Sequence, residues 1–82
     1  GVLLRAGSRP LARVERMAGG VVCVNWQWLP PPPLRRLFNA AAWPEAHDPE
    51  FNAYRQTMSE AVFDAAAPLL LQTGFQLETL QK

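Results

Sequence analysis

The sequence predicts an α+β fold in a single domain, 1–82, with a small antiparallel sheet from 1–29 and 75–81 packed by two or three helices from 33–73. Three observations predict it. Gly19 and Gly20 separate two runs that can alternate apolar with polar residues, and because glycine tolerates positive φ such a pair marks a tight hairpin. Pro30 to Pro33 then end the second run, since proline has no N–H to donate to a ladder. Beyond the prolines, apolar residues recur at helical spacing.

In chain order, Val2 to Leu4 is a short first strand and Gly7-Ser8-Arg9-Pro10 a turn. The hairpin follows, and its loop length decides which side chains share a face. A two-residue loop would pair Glu15 with Val24 and Arg13 with Trp26, placing both charges on the valine and tryptophan face, where burial is costly. A three-residue loop, Ala18-Gly19-Gly20, pairs Val14 with Val24, Ala12 with Trp26 and Arg16 with Val22. Arg13, Glu15, Cys23, Asn25 and Gln27 then lie on the other, polar face. A competing reading makes 9–18 a helix, with Ser8 as N-cap, Pro10 in the first turn and Arg9, Arg13 and Arg16 as a basic stripe. Local propensity favours the helix, whereas the strand candidate 21–28 needs a partner and favours the hairpin.

The run 8–26 resembles the YodC-like family of small bacterial proteins. The family pattern is Gly-Gly-Pro, Met and Val at alternate positions, a turn glycine, and Val-x-Cys-x-Trp. Without gaps, Pro10 falls on the proline, Ala12 on the methionine, Val14 on the valine and Gly20 on the turn glycine. Val22, Val24 and Trp26 fall on the final triplet. Ser8 and Arg9 replace the two glycines, Val24 replaces the cysteine, and prolines replace the loop after the tryptophan. The resemblance implies an SH3-like partial barrel and no known activity. It also implies that the family's closing Phe and Leu fall on Phe75 and Leu80, with the helices inserted into the barrel.

Pro33 suits a first helical turn, and Leu34, Leu37, Phe38 and Ala41 follow at i, i+3, i+4 and i+7, predicting a helix to about Trp43. Asp48 as N-cap, Pro49 and Glu50 predict the next helix start. From there Phe51, Tyr54, Met58, Ala61, Val62 and Ala65 line an apolar face. Pro68 would clash with the carbonyl of Asp64, so a kink or restart is expected there. Leu69 to Leu71 are expected to be buried, Gly74 to end the helix, and Phe75 to Leu80 to form a last strand.

An 82-residue chain buries only about 60 to 65% of its unfolded surface, so oligomerisation is an expected supplement. Hydrophobic residues make up 49%, enough for a core and too many for a disordered chain. No run reaches the ~18 to 20 apolar residues of a membrane span, and a single cysteine makes no internal disulfide. A cytoplasmic, bacterial setting is expected. Four arginines and one acid in the first eighteen residues also fit a mitochondrial presequence, against which Gly7 and Pro10 interrupt any helix. Residues 1–36 hold six arginines against Glu15, a net of +5, and 37–82 hold Arg55 and Lys82 against six acids, a net of −4. Such asymmetry permits a nucleic-acid face or attraction between the two halves.

Leu29 to Arg36 contains the proline and arginine spacing that SH3 domains read, and LPPPP also fits EVH1 ligands; as a structural element it is a rigid connector. Trp26 and Trp28 beside Arg13 and Arg16 could stack bases and hold phosphates. His47, amid Glu45, Asp48 and Glu50, lacks metal-site spacing. Cys23 has no histidine partner and is expected to be structural, and Ser8 and Ser59 lack a nucleophile context. No catalytic, cofactor-binding or metal residues are therefore assigned. The expected function is a non-enzymatic binding or assembly module, homodimeric, with Trp28, Trp43, Phe63 and Leu70 at its interface and no membrane contact. The alternative is a nucleic-acid-binding accessory protein using Arg9, Arg13, Arg16, Arg35 and Arg36.

Overall fold

A computed structural model describes residues 1–40, 42–44 and 53–80. Among these residues, five antiparallel strands form one sheet in the order β4-β3-β2-β1-β5. The strands are β1 (Val2–Ala6), β2 (Arg9–Met17), β3 (Val21–Trp26), β4 (Tyr54–Ser59) and β5 (Gln76–Thr79), joined by helices α1 (Pro32–Arg35) and α2 (Glu60–Gln72). A 3-10 turn, Arg36–Phe38, extends α1.

The hairpin takes the three-residue loop. Ala12 faces Trp26, Val14 faces Val24 and Arg16 faces Val22, and Gly19 and Gly20 hold φ of 81° and 72°. This register wins because it alone collects Ala12, Val14, Val22, Val24 and Trp26 on one face, where all five are buried. The helical reading of 9–18 is thereby overturned. Residues 2–17 supply β1 and β2, both inside the sheet. Cys23 lies on the face opposite those valines, yet it is buried rather than exposed, because Asn25 and Arg55 lie over its sulfur. β5 closes the far edge by pairing with β1, Leu4 opposite Leu77.

Three expectations for 33–73 are corrected. The first helix begins at Pro32 rather than Pro33 and ends in the 3-10 turn at Phe38, well before Trp43. The stretch 54–59 is strand β4, paired with β3 from Val21↔Ser59 to Trp26↔Tyr54, so 33–73 is not wholly helical. Tyr54 and Met58 match a helical i, i+4 pair as well as alternate strand positions, and an open partner edge on β3 decides for the strand. Asp48, Pro49, Glu50 and Phe51 lie outside the described residues. The helix that follows is α2, capped by Ser59, whose Oγ accepts from the Val62 N–H at 3.2 Å.

Pro68 lies inside α2 and does not end it. Both Pro68 and Asp64 are exposed, and at an exposed helix face the loss of one donor is tolerated. α2 then stops at Thr73, and Gly74, with φ of 93°, turns the chain into β5. The core lies between the sheet and the helices: Leu4, Leu11, Trp26, Leu34, Phe38, Phe63 and Leu70. Each such side chain, once buried, contributes about 1.5 to 3 kcal/mol.

Candidate functional site

The starting sequence for the site is the proline run. Pro30 is buried, while Pro31, Pro32 and Pro33 are exposed. Pro31 is extended, with φ −62° and ψ 154°, and its carbonyl accepts from Leu34 and Arg35, which starts the helix. The Arg35 Nε donates to the Pro30 carbonyl at 2.6 Å and locks the connector. With Pro30 buried and Arg35 so engaged, the LPPPPLRR stretch forms a connector between β3 and α1.

On α2 the core stripe is Phe63, Ala66 and Leu70. Beside it runs a second apolar stripe, Val62, Ala65 and Leu69, at i, i+3 and i+7. This second stripe meets Arg36, Leu37 and Asn39 to line a furrow of about 290 Å³. Next to it, Pro31, Pro33, Leu34, Leu37, Thr73 and Phe75 line another of about 240 Å³. Leu37, half-buried, borders both. Among the described residues that line the second furrow, the one side-chain polar atom is the Thr73 hydroxyl, already bonded back to the carbonyls of Leu69 and Leu70. Such walls gain by removing apolar side chains of a partner from water.

Of the residues predicted at an interface, the structure places Trp28 on the surface, 51% exposed, with Arg9 stacked 4.9 Å from its ring centroid. Trp43 is half-buried, edge-on to Trp26 at 5.6 Å and 5.1 Å from Tyr54. Phe63 and Leu70 are corrected to the core, at 4% and 0% exposure. Capping α2 at Ser59 makes Phe63, Ala66 and Leu70 one inward stripe, and it turns Leu69 and Leu71 outward at 44% and 56%. The expected burial of Leu69 to Leu71 thus holds for Leu70 alone.

The arginines do not converge. Arg16, exposed, pairs with Glu60 and reaches Asp64 at 2.9 Å while lying 5.8 Å over Phe63. Its hydrogen bond to Asp64, joined by the charges of Asp64 and Glu60, raises its pKa above the ordinary arginine value. Arg5 pairs with Glu78 at 3.3 Å. The two oppositely charged halves therefore attract each other within one chain. Arg13 and Arg16 point to opposite faces of β2, and Arg9 lies roughly 23 Å along the strand from Arg16. Among the described residues no ion pair involves Arg9, Arg13, Arg35 or Arg36.

Sequence reasoning missed Gln56, a buried polar side chain. It accepts from Trp26 Nε1 and donates to the Phe38 carbonyl. It also missed the Arg55 Nε donating to Cys23 Sγ at 3.1 Å. The Val62, Ala65, Leu69 spacing was the signal that could have revealed the furrow. Among the described residues no group of three His, Cys, Asp or Glu could hold a metal, and no helix is long and apolar enough to cross a membrane. His47 lies outside the described residues. Comparison with protein-family models, with curated proteins and with solved structures finds no match.

Proposed function

We propose that this protein is a non-enzymatic binding or assembly module that acts as a homodimer. One observation carries the reading: an apolar surface left uncovered on a small domain. Leu69, Leu71 and Trp28 are exposed, and Leu37 joins two apolar furrows beside Leu69. Uncovered apolar surface of this kind marks protein contact sites. An SH3-like partial barrel accommodates the same data, since four strands meander and the fifth returns to pair with β1. The YodC-like resemblance rests on the sequence run 8–26.

The second reading, nucleic-acid binding, is favoured by Arg9 on the exposed Trp28 ring, an arrangement suited to stacking and phosphate contact. The dispersal of the other arginines weighs against it. Fluorescence anisotropy with labelled mixed-sequence single-stranded DNA and RNA separates the two. The module reading expects no saturable binding at 50 mM salt. Binding that falls 10-fold or more by 200 mM salt, as released counterions require, would transfer the function to the second reading.

A further inference from the structure

We propose that the homodimer forms through β4, two copies laying their Tyr54–Ser59 strands antiparallel about a two-fold axis at Gln56 to make one ten-stranded sheet. The inference rests on the homodimer reading above and places its contact at the sheet edge rather than at Leu69, Leu71 and Trp28. β4 ends the sheet order, so among the described residues nothing pairs with its outer side. Proteins guard such edges with prolines, bulges, lysines or short strands. β4 has six residues, no proline and an unbroken register against β3. The other edge, β5, has four residues and carries Glu78.

The backbone phase follows from one bond. Glu60 N–H donates to the Gly20 carbonyl at 2.8 Å, so Met58, Gln56 and Tyr54, in step with Glu60, direct their backbone groups to Val22, Val24 and Trp26 of β3. The N–H and C=O groups of Arg55 and Thr57 point away from the sheet. A second strand must bond to these two residues.

Three symmetric registers, with axes at Arg55, Gln56 or Thr57, bring these outward groups together, and side chains choose between them. An axis at Arg55 sets two arginines directly opposite, which is repulsive. An axis at Thr57 sets Tyr54 against Glu60, already the first residue of a helix. An axis at Gln56 pairs Arg55 with Thr57 of the partner, and Thr57 with Arg55, closing four backbone hydrogen bonds. On the inner side it sets Tyr54 opposite Met58, both half-buried against the core, so the dimer prolongs an existing apolar layer.

Sedimentation equilibrium on the unaltered chain and on Thr57→Pro, Thr57→Lys and Thr57→Glu tests this. Proline removes an outward N–H that β3 does not use, and it should raise the dimer dissociation constant about 10-fold or more. Lysine opposite the partner's arginine should weaken the dimer several-fold, and glutamate should tighten it, both effects shrinking as salt rises. Because the lysine and glutamate variants keep every backbone bond, they decide the matter even where the proline variant fails to fold. A dimer whose constant all three leave unchanged would overturn the β4 contact and leave the homodimer standing. A strictly monomeric unaltered chain would overturn both.

Discussion

The indole N–H of Trp26 donates to the side-chain oxygen of Gln56 at 3.1 Å, and both residues are buried. Gln56 in turn donates to the Phe38 carbonyl at 2.6 Å, which ties β3, β4 and the 3-10 turn through one amide. Gln56→Leu leaves an indole N–H and a carbonyl unpaired in the core, at about 1 to 3 kcal/mol for each. Urea unfolding should show a loss of about 2 to 6 kcal/mol. A loss under 1 kcal/mol would mean that water or another side chain replaces the amide.

The roles of two aromatic residues separate clearly. Phe63→Ala empties a core position and should cost about 3 to 5 kcal/mol. Trp28→Ala removes an exposed ring and one cation–π contact and should cost about 0.5 to 1 kcal/mol. Thermal denaturation of the two variants side by side checks the order, and equal losses would contradict the placement of both rings.

At the hairpin, Gly20 has φ of 72° and no atom within 4 Å of an added Cβ. Gly20→Ala therefore acts through backbone strain alone and should cost about 1 to 2 kcal/mol. Gly20→Asn should cost less, because asparagine tolerates the left-handed region. Equal stability of the alanine variant and the unaltered chain would argue for a different loop.

Pro68 interrupts the hydrogen bonds of α2 from within. Pro68→Ala restores a donor for Asp64 and should stabilise the fold by about 1 to 3 kcal/mol. Destabilisation in urea would show that the proline ring makes a contact the fold needs.

The hairpin was legible in the sequence because just one loop length sorts Val14, Val22, Val24 and Trp26 from Arg13, Glu15 and Asn25, a constraint internal to twenty residues. The closing strand was legible for a similar reason, with Gly74 ending a helix ahead of an alternating run. β4 was not. Its inward residue at the centre is Gln56, so the apolar alternation fails there. Tyr54 and Met58 fit a helix equally well, and only pairing with β3, thirty residues earlier, resolves them. The same misreading hid the site. Once Ser59 rather than Asp48 caps α2, Phe63 and Leu70 turn inward and Leu69 turns toward the furrow, so two of the four proposed interface residues became core.

The mass of the unaltered chain in solution tests homodimeric assembly most directly. Sedimentation equilibrium across a concentration series reaching tens of micromolar, at low and at high salt, should fit a monomer–dimer equilibrium whose constant changes little with salt, because backbone pairing and apolar contact carry it. A single species near 9.1 kDa at every concentration would contradict it.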